Sequence, residues 1–435
     1  MAKKIFITQP DFEKAFGALI SSRQQAVQSV APTVSSIVSR VRAEGDIALF
    51  DYTRRFDRFE PSAQTVEVQP QEIANALSLC LPELMRSLKI ACARIREYSK
   101  QQMPQDLDYV DGAGVRLGHR WSAIDRVGLY VPGGLAAYPS SVLMNAVPAK
   151  VAGVKELIMV VPHPDGKTNP AVLAAAHVAG VDRIFKIGGA QAVAALAYGT
   201  ASIPAVDKIV GPGNSYVAEA KRQVFGKVGI DMIAGPSEIL VISDNRSNPA
   251  WIASDLLSQA EHDEAAQSIL ITDDSAYADV VLAAVEALLA TLPREAIARA
   301  SWRSHGAVIV VENLHQACEL ANRIAPEHLE LALYQPEEIL PQLRHAGAIF
   351  LGRYTPEAIG DYIAGPSHVL PTSGTARFSS GLSVYDFLKR TSIAGCTPAS
   401  FASLAPYVLT LAESEGLGAH ALSIATRKEA ISEET

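Results

Sequence analysis

Short apolar segments alternate with helical patterns through the middle of the chain. The apolar segments span residues 127–131, 157–161, 183–187 and 208–210, and each ends in a turn that contains glycine or proline. A strand, a glycine-rich turn and a helix in succession are typical of parallel α/β units. The pattern therefore predicts a parallel sheet with helices between its strands.

The same alternation returns further along the chain. Strand-like segments at 239–243, 268–272 and 307–311 are separated by helical patterns at 249–261 and 314–324. We therefore expect an α/β protein with two doubly wound sheets of an incomplete Rossmann-like type. The first third of the chain is mainly helical in pattern, at residues 12–22, 33–44 and 70–102.

Composition excludes several classes of partner. Among 435 residues, 49% are hydrophobic and 19% charged, and the net charge is −8, as in a soluble globular enzyme. The sequence has no dense Lys/Arg block, so nucleic acid is not the expected partner. It also has no apolar run of about 18 residues, so we expect no membrane span. The N-terminus lacks the apolar core of about 7–15 residues that a signal peptide needs. The four scattered cysteines fit reduced thiols, so we expect a cytoplasmic location.

Glycine-rich turns follow two of the predicted strands. Gly188 and Gly189 follow one, and Gly211-Pro212-Gly213-Asn214 follows the other. Such turns at the carboxyl ends of parallel strands let the backbone approach a phosphate, where helix N-termini favour anions. The full G-x-G-x-x-G fingerprint is absent, so tight turns without a ligand remain an alternative.

The segment SQAEHDEAAQS, residues 258–268, carries candidate metal ligands. Gln259 and His262 are three residues apart, so on a helix they share one face. A His beside an oxygen ligand is half of a metal site. If the helix continues, Glu261, Asp263 and Glu264 project away as solvated charge.

Three later segments combine acids with histidines. Glu327 and His328 follow Pro326 directly before a predicted strand, and such a pair suits general acid–base chemistry. Asp361 and His368 flank a Gly-Pro turn, as in a binding loop. Glu415 and His420 lie in a C-terminal helical pattern that Gly416 and Gly418 interrupt. On these residues alone, ordinary surface charges and turns are open alternatives.

Together these segments closely resemble the histidinol dehydrogenase family, over nearly the whole chain. The motifs, in the order and spacing of the family, are VGLYVPGG (127–134), IGGAQAVAALAYGT (187–200), IVGPGNSYV (209–217), AGPSEILV (234–241), SQAEHD (258–263), APEHLEL (325–331), AGPSHVLPT (364–372) and EGLGAHA (415–421). One such motif could arise by chance, but eight in register are very specific.

The resemblance implies a Zn²⁺ enzyme that oxidises L-histidinol to L-histidine through a bound aldehyde with two NAD⁺. The zinc ligands implied are Gln259, His262, Asp361 and His420. The substrate pocket implied contains these ligands together with Ser237, Glu327, His328, His368 and Glu415. The NAD⁺ contacts implied are Tyr130, Gln191 and Asn214.

The resemblance also implies a homodimer in which Glu415 and His420 of one subunit complete the site of the other. We expect a helical N-terminal arm and a small C-terminal helical domain beside the two sheet domains. The predicted boundaries are 1–24 for the arm, 25–129 with 237–381 for the metal and catalytic domain, 130–236 for the NAD-binding domain, and 382–435 for the C-terminal domain.

The chemistry of the side chains suggests which residues carry out the steps of the two oxidations. His328 is the candidate base, with a pKa near working pH, and Glu327 could activate the water that hydrates the aldehyde. One alternative is a paralogous NAD-dependent dehydrogenase of another small polyol, such as a sulfonated diol. Another, from a different class, is a zinc hydrolase in which Glu327 activates a water.

Overall fold

The computed structural model describes residues 2–21, 30–133 and 138–434. Most of the strands lie between helices, as the alternation predicts. The strands are β1 (Lys3–Phe6), β2 (Leu107–Val110), β3 (Arg116–Ala123), β4 (Arg126–Tyr130), β5 (Glu156–Val160), β6 (Arg183–Phe185), β7 (Lys208–Val210), β8 (Gly229–Ile230), β9 (Glu238–Ser243), β10 (Gln267–Thr272), β11 (Ala307–Val310), β12 (His328–Ala332), β13 (Ala348–Leu351) and β14 (Leu388–Gly395).

Many of the helices begin at polar caps. The side chains of Asn169, Asn214, Asn248, Asp274 and Asn313 each accept a backbone N–H of the helix that follows. The helices are α1 (Phe12–Ser21), α2 (Ala31–Glu44), α3 (Asp46–Asp57), α4 (Pro70–Leu79), α5 (Pro82–Gln101), α6 (Pro139–Ala152), α7 (Pro170–Ala179), α8 (Gly189–Tyr198), α9 (Ser215–Val224), α10 (Pro249–Ala260), α11 (Ser275–Leu289), α12 (Glu295–His305), α13 (Leu314–Ile324), α14 (Glu357–Tyr362), α15 (Pro398–Ser414) and α16 (Gly418–Glu434).

The first sheet is parallel throughout, with the strand order β1-β11-β10-β9-β12-β13. Its central strand β9 is buried on both faces, because successive side chains point to opposite sides. Leu240 and Ile242 pack in the core with α1 and α13, whereas Ile239 and Val241 pack with α10, α11 and α12. Helices on both faces explain why its strands are continuous apolar runs.

The second sheet is also parallel, with the order β6-β5-β4-β7-β8. Helices α2, α3, α8 and α9 share a core with one of its faces. On the other side α6 contacts β4, and α5 and α7 pack against α6. The strand order reverses at β4 and β7, so the carboxyl ends of these two strands flank a crevice suited to a ligand.

By its internal contacts the chain divides into two compact units. The larger comprises Met1–Gln102 and Ile124–Phe387 and contains both parallel sheets. The smaller comprises Met103–Ala123 and Leu388–Thr435. In it β3 pairs antiparallel with β2 and β14, and α15 packs against α16.

The predicted fold class, two doubly wound sheets with helical additions, is confirmed. Two details were not predicted: β1 extends the first sheet beside β11, and the smaller unit contains a three-stranded sheet as well as helices. The predicted domain boundaries stay predictions. The division by contacts gives two units and groups Met103–Ala123 with the C-terminal segment. Among the described residues, no helix has the length and apolar character needed to cross a bilayer.

Candidate active site

The carboxyl ends of β4 and β7 meet at the crevice of the second sheet. Tyr130 ends β4, and the turn from Gly211 to Asn214 joins β7 to α9. Gly211 has φ +112°, and a Cβ there would lie 2.1 Å from the Tyr130 carbonyl oxygen. Only glycine therefore fits this turn, because a side chain would be strained and would collide with the neighbouring strand.

A cavity of about 900 Å³ opens beside this crevice. The three predicted cofactor contacts, Tyr130, Gln191 and Asn214, all line it. The Tyr130 hydroxyl accepts a hydrogen bond from Gly189 N at 3.1 Å, and burial raises the pKa of Tyr130 to about 12. The hydroxyl therefore keeps its proton at neutral pH and can donate it to a ligand in the cavity.

Glu327 and His328 lie at the amino edge of the first sheet, not at a carboxyl edge. Helix α13 ends in the left-handed residue Ala325, and His328 is the first residue of β12, one residue earlier than predicted. Glu327 Oε2 accepts the Glu238 N–H at 2.9 Å, and His328 Nδ1 lies 3.0 Å from the Glu238 carbonyl oxygen. One residue of the neighbouring strand β9 thus holds both members of the pair.

The bond to Glu238 fixes the tautomer of His328. A carbonyl oxygen can only accept, so Nδ1 carries the proton and Nε2 is left with a free lone pair. Within the described part of the chain Nε2 is buried without a hydrogen-bond partner, 3.7 Å from Asp361 Oδ1. The imidazole therefore aims a proton acceptor at the acidic side chains around it.

Burial sets the protonation of the pair. It lowers the pKa of His328 to about 3, helped by the nearby His368 and His262, and it raises the pKa of Glu327 well above its ordinary value. The expectation of a His328 pKa near working pH was wrong, because the ring is almost completely removed from water. His328 is consequently neutral, the form a base requires, at neutral pH.

A second cavity, of about 290 Å³, brings seven of the predicted substrate and metal residues together. It is lined by Ser237, Gln259, His262, Glu327, His328, Asp361 and His368. It lies where the amino edge of the first sheet faces the Gly211–Asn214 turn of the second, since Gly213 and Asn214 line it too. The residues come from separate segments that are spread over more than a hundred positions of the chain.

Local structure differs from the predictions at two of these residues. Helix α10 ends at Ala260, so His262 lies in the turn after it and donates its backbone N–H to Gln259 O at 3.2 Å. Both residues still line the cavity, and Asp263, predicted to point away, lines it as well. Asp361 was expected in an irregular loop but belongs to α14.

The chemistry of the lining fits a metal ion. Gln259 is fully buried, and neither polar atom of its side chain has a hydrogen-bond partner among the described residues. Asp361 Oδ1 is also buried without a hydrogen-bond partner among the described residues. Buried polar atoms are costly unless something binds them, and amide, carboxylate and imidazole ligands suit Zn²⁺. These atoms are therefore suited to bind a cation.

Glu415 and His420 belong to the smaller unit. Glu415 caps the end of α15, His420 lies in α16, and both residues are exposed. The predicted break between the helices is present, because α15 ends at Ser414 and α16 begins at Gly418. Their assignment to the metal and substrate stays a prediction.

Comparisons with known proteins agree along the whole chain. The histidinol dehydrogenase family model matches residues 20–428. A histidinol dehydrogenase of Rhodospirillum rubrum is 59% identical over 98% of this chain and 99% of its own, and one of Rhizobium meliloti is 57% identical over 98% of each. The crystal structure of the Elizabethkingia anophelis histidinol dehydrogenase superposes with a TM-score of 0.94 at 34% identity, covering 99% of both chains.

The chain belongs to the histidinol dehydrogenase family. The predicted family is confirmed, and with it the class of enzyme, an NAD-dependent oxidoreductase of histidine biosynthesis. In a histidinol dehydrogenase the two adjoining cavities have a ready explanation, because the enzyme must hold a dinucleotide beside an amino alcohol.

Sequence reasoning missed one carboxylate of this histidinol dehydrogenase site. Glu357, at the start of α14, is 2% exposed, and its Oε1 lies 3.6 Å from His328 Nδ1. Ligand atoms of His328, Glu357 and Asp361 lie within 4.8 Å of one another, close enough to share a metal ion. Its position four residues before Asp361 is the signal that could have found it, since the two share a helix face.

The smaller cavity is lined by acidic side chains but by no lysine or arginine of the described residues. The acidic residues are Asp263, Glu327, Glu357 and Asp361. Four acidic side chains, of which Glu327 and Glu357 are buried, favour a cationic occupant.

Proposed function

We propose that the protein oxidises L-histidinol to L-histidine through L-histidinaldehyde with two NAD⁺, in a site that holds Zn²⁺. The observation that carries the proposal is the buried, neutral His328, whose free Nε2 faces an acidic cavity next to a larger one. A base aimed into a cation-binding cavity beside a dinucleotide-sized space suits the oxidation of an amino alcohol.

His328 serves as the base of the first oxidation. A hydride leaves the carbinol carbon readily only when the hydroxyl proton leaves too, and Nε2 accepts that proton. NAD⁺, when bound, takes up the hydride. The resulting imidazolium has one carboxyl oxygen close to its new N–H, since Asp361 Oδ1 is 3.7 Å from Nε2. Alcohol and NAD⁺ thus give aldehyde, NADH and one proton.

The second oxidation needs an added water. The aldehyde has no hydroxyl, so water must first add to its carbonyl carbon to form a gem-diol. Glu327 takes a proton from that water in its ionised form, which the raised pKa makes the stronger base and which the Glu238 N–H stabilises. His328 then removes a hydroxyl proton of the diol while a second hydride leaves. Aldehyde, water and NAD⁺ give the carboxylate, NADH and two protons.

We assign Gln259, His262, Asp361 and His420 as the zinc ligands. The fit of the first three rests on their shared cavity and on the unpartnered atoms of Gln259 and Asp361. When bound, Zn²⁺ would orient the substrate through its imidazole and amino nitrogens. Ser237 and His368 complete the pocket wall. His368 is fixed there, with Nδ1 3.0 Å from Asp361 O and Nε2 3.1 Å from Ser141 Oγ.

The fourth zinc ligand comes, in this proposal, from a partner subunit of a homodimer, together with Glu415. Their exposure in the smaller unit leaves both side chains available to a second copy. A mixed dimer tests this. His262→Ala and His420→Ala chains, each inactive alone, regain activity when combined if His420 acts across the interface, because one of the two sites is then intact. No recovery would place His420 on its own subunit's site.

We assign the larger cavity to NAD⁺, with Tyr130, Gln191 and Asn214 as contacts. The N-termini of α8 and α9 lie at this cavity, through Gly189, Ala190 and Asn214. Backbone N–H groups at helix starts favour the anionic diphosphate of a dinucleotide. Asn214 lines both cavities and so marks where cofactor and substrate meet.

The cavity chemistry disfavours both alternatives. A sulfonated diol would need a cationic side chain, and none of the described residues in the smaller cavity supplies one. A zinc hydrolase would have no use for the larger cavity with its two helix starts.

The decisive experiment follows NADH formation with L-histidinol before and after removal of the metal. We expect two NADH per histidinol, loss of activity on chelation, and recovery when Zn²⁺ is restored. Activity that survives complete metal removal would exclude the zinc assignment. Hydrolysis of an ester or amide with no NADH from histidinol would exclude the dehydrogenase itself.

A further inference from the structure

The turn from Gly211 to Asn214 separates the two cavities. Pro212, Gly213 and Asn214 line the smaller one, and Asn214 also lines the larger. Any shift of this turn would move the wall between cofactor and substrate. Gly211 is the residue of the turn that requires glycine, with φ +112° and the Tyr130 carbonyl directly behind it.

Two buried side chains hold Gly211 in place. Lys221 of α9 donates from Nζ to the Gly211 carbonyl at 3.0 Å. Asp231, just after β8, accepts the Gly211 N–H at Oδ2 at 2.8 Å and the Met232 N–H at Oδ1 at 2.6 Å. Lys221 and Asp231 also pair directly, and their side chains are only 3% and 0% exposed. Both polar backbone groups of Gly211 are thus bound by one ion pair.

Burial makes a purely stabilising role a weak explanation for this pair. Removing two charges from water costs free energy that their mutual attraction only partly recovers, so a well-packed apolar pair would often be as stable. An apolar pair could not bind the N–H and the carbonyl of the same glycine. Directional bonds to Gly211 are what the charged pair provides in addition.

We propose that Lys221 and Asp231 are positioning residues that set the alignment of the cofactor with the substrate by clamping the Gly211–Asn214 turn. The inference rests on the proposed function, because it takes the larger cavity as the NAD⁺ site. Neither side chain lines either cavity, so both act through the turn.

The test uses the zinc-loaded enzyme with Lys221→Met and the charge-neutral pair Lys221→Met/Asp231→Asn. We expect the KM for NAD⁺ to rise about tenfold and kcat to fall, since a displacement near 1 Å is enough for such losses. The deuterium isotope effect on kcat, measured with histidinol deuterated at the carbinol carbon, should rise as hydride transfer becomes limiting. A merely structural role would leave that isotope effect unchanged.

Lys208→Met is the matched control. Lys208, the first residue of β7, is also a mostly buried lysine, and it donates to Asp386 O and Oδ1 at 2.7 and 3.1 Å rather than to Gly211. Folded clamp variants with the kinetics of this control would overturn the proposal. Failure of both clamp variants to fold would also overturn it, because the pair would then be a requirement of the fold.

Gln191→Ala separates the clamp from the cofactor site. If this change raises the KM for NAD⁺ and the clamp variants do not, only the clamp is wrong. If Gln191→Ala leaves the KM for NAD⁺ unchanged, the assignment of the larger cavity to NAD⁺ is wrong, and the proposed role of Lys221 and Asp231 is wrong with it. A rise in both supports the two together.

Discussion

The two parallel sheets of the larger unit share one internal strand order but present opposite edges to the candidate site. In the second sheet the order β6-β5-β4-β7-β8 brings the carboxyl ends of β4 and β7 to the cavities. In the first, β11-β10-β9-β12-β13 repeats that order, yet Glu327 and His328 lie at the amino end of β12. The same topology therefore supports two different kinds of site.

Helix direction explains the difference. At the carboxyl edge, α8 and α9 begin, and their N-termini carry partial positive charge that favours an anion. At the amino edge, α10 and α13 end close to Gln259 and Glu327, and C-termini carry partial negative charge. Buried carboxylates add to that charge. One edge thus suits the diphosphate of a dinucleotide, and the other suits a metal ion and a cationic substrate.

The largest effect should come from the amino edge, at its base. His328→Asn removes the free Nε2, and we expect kcat to fall about 10²–10⁴-fold for both oxidations. Steady-state NADH formation measures it with histidinol and with histidinaldehyde. Binding of NAD⁺ at the opposite edge, followed by fluorescence, should stay within about twofold of the parent. A loss confined to one of the two oxidations would contradict the shared base.

Glu327→Gln should separate the two oxidations. The amide oxygen can still accept the Glu238 N–H, so the local structure survives, but the side chain can no longer take a proton from water. We expect aldehyde oxidation to fall about a hundredfold and alcohol oxidation by no more than about tenfold. Single-turnover experiments started from each substrate measure the two rates. Equal losses would remove Glu327 from the hydration step.

Gly211→Ala probes the carboxyl edge. The added Cβ would lie 2.1 Å from the Tyr130 carbonyl, at a φ that only glycine adopts readily. We expect about 1–3 kcal/mol of strain, part of it relieved by a shift of the turn, and a KM for NAD⁺ raised about tenfold. Gly226→Ala, at φ +96° in open space, is the control for strain without displacement. Equal kinetics in both variants would show that the turn does not locate the cofactor.

Much of this organisation could be predicted from sequence. Alternating apolar segments indicated both sheets, because a strand buried on two faces must be apolar throughout. The turns at Gly188 and Gly211 indicated the carboxyl edge, since glycine marks close backbone approach. Glu327, His328 and Gln259 were identifiable as polar residues within apolar surroundings, and the family motifs joined them into one site.

The rest depends on long-range structure. The sequence places Glu327 and His328 directly before a predicted strand, and so at its amino end, but the general rule that ligands bind at carboxyl ends does not predict a site there. The pKa of His328 depends on how completely neighbouring elements bury it, and its tautomer depends on the carbonyl of Glu238, ninety positions away. The spacing of Glu357 and Asp361 indicates a shared helix face, but it does not show what that face meets. Only the folded chain brings it against His328.

The smallest expected effect is on stability and concerns a carboxyl group buried in β12, two residues beyond His328. Glu330, on β12, accepts the Glu357 N–H, and burial together with the nearby Asp255 raises the pKa of Glu330 well above its ordinary value. A raised folded-state pKa gives stability that is present below the unfolded pKa and is lost as pH rises toward the folded one. Glu330→Gln cannot ionise, and its amide can still donate to Asp255. The free energy of unfolding of the metal-free variant should therefore rise relative to that of the parent as pH increases.

Urea denaturation of the metal-free proteins at about pH 5 and about pH 8 measures that gain, with the exposed Glu337→Gln as control. The free energies of unfolding of parent and Glu330→Gln should be closer at the lower pH and further apart at the higher. A pH-independent difference would mean that Glu330 is ionised throughout and that the amino edge tolerates its negative charge without a cation. In that case burial beside the amino edge would not keep carboxyl groups neutral, and the contrast between the two sheets would rest on the positions of their side chains alone.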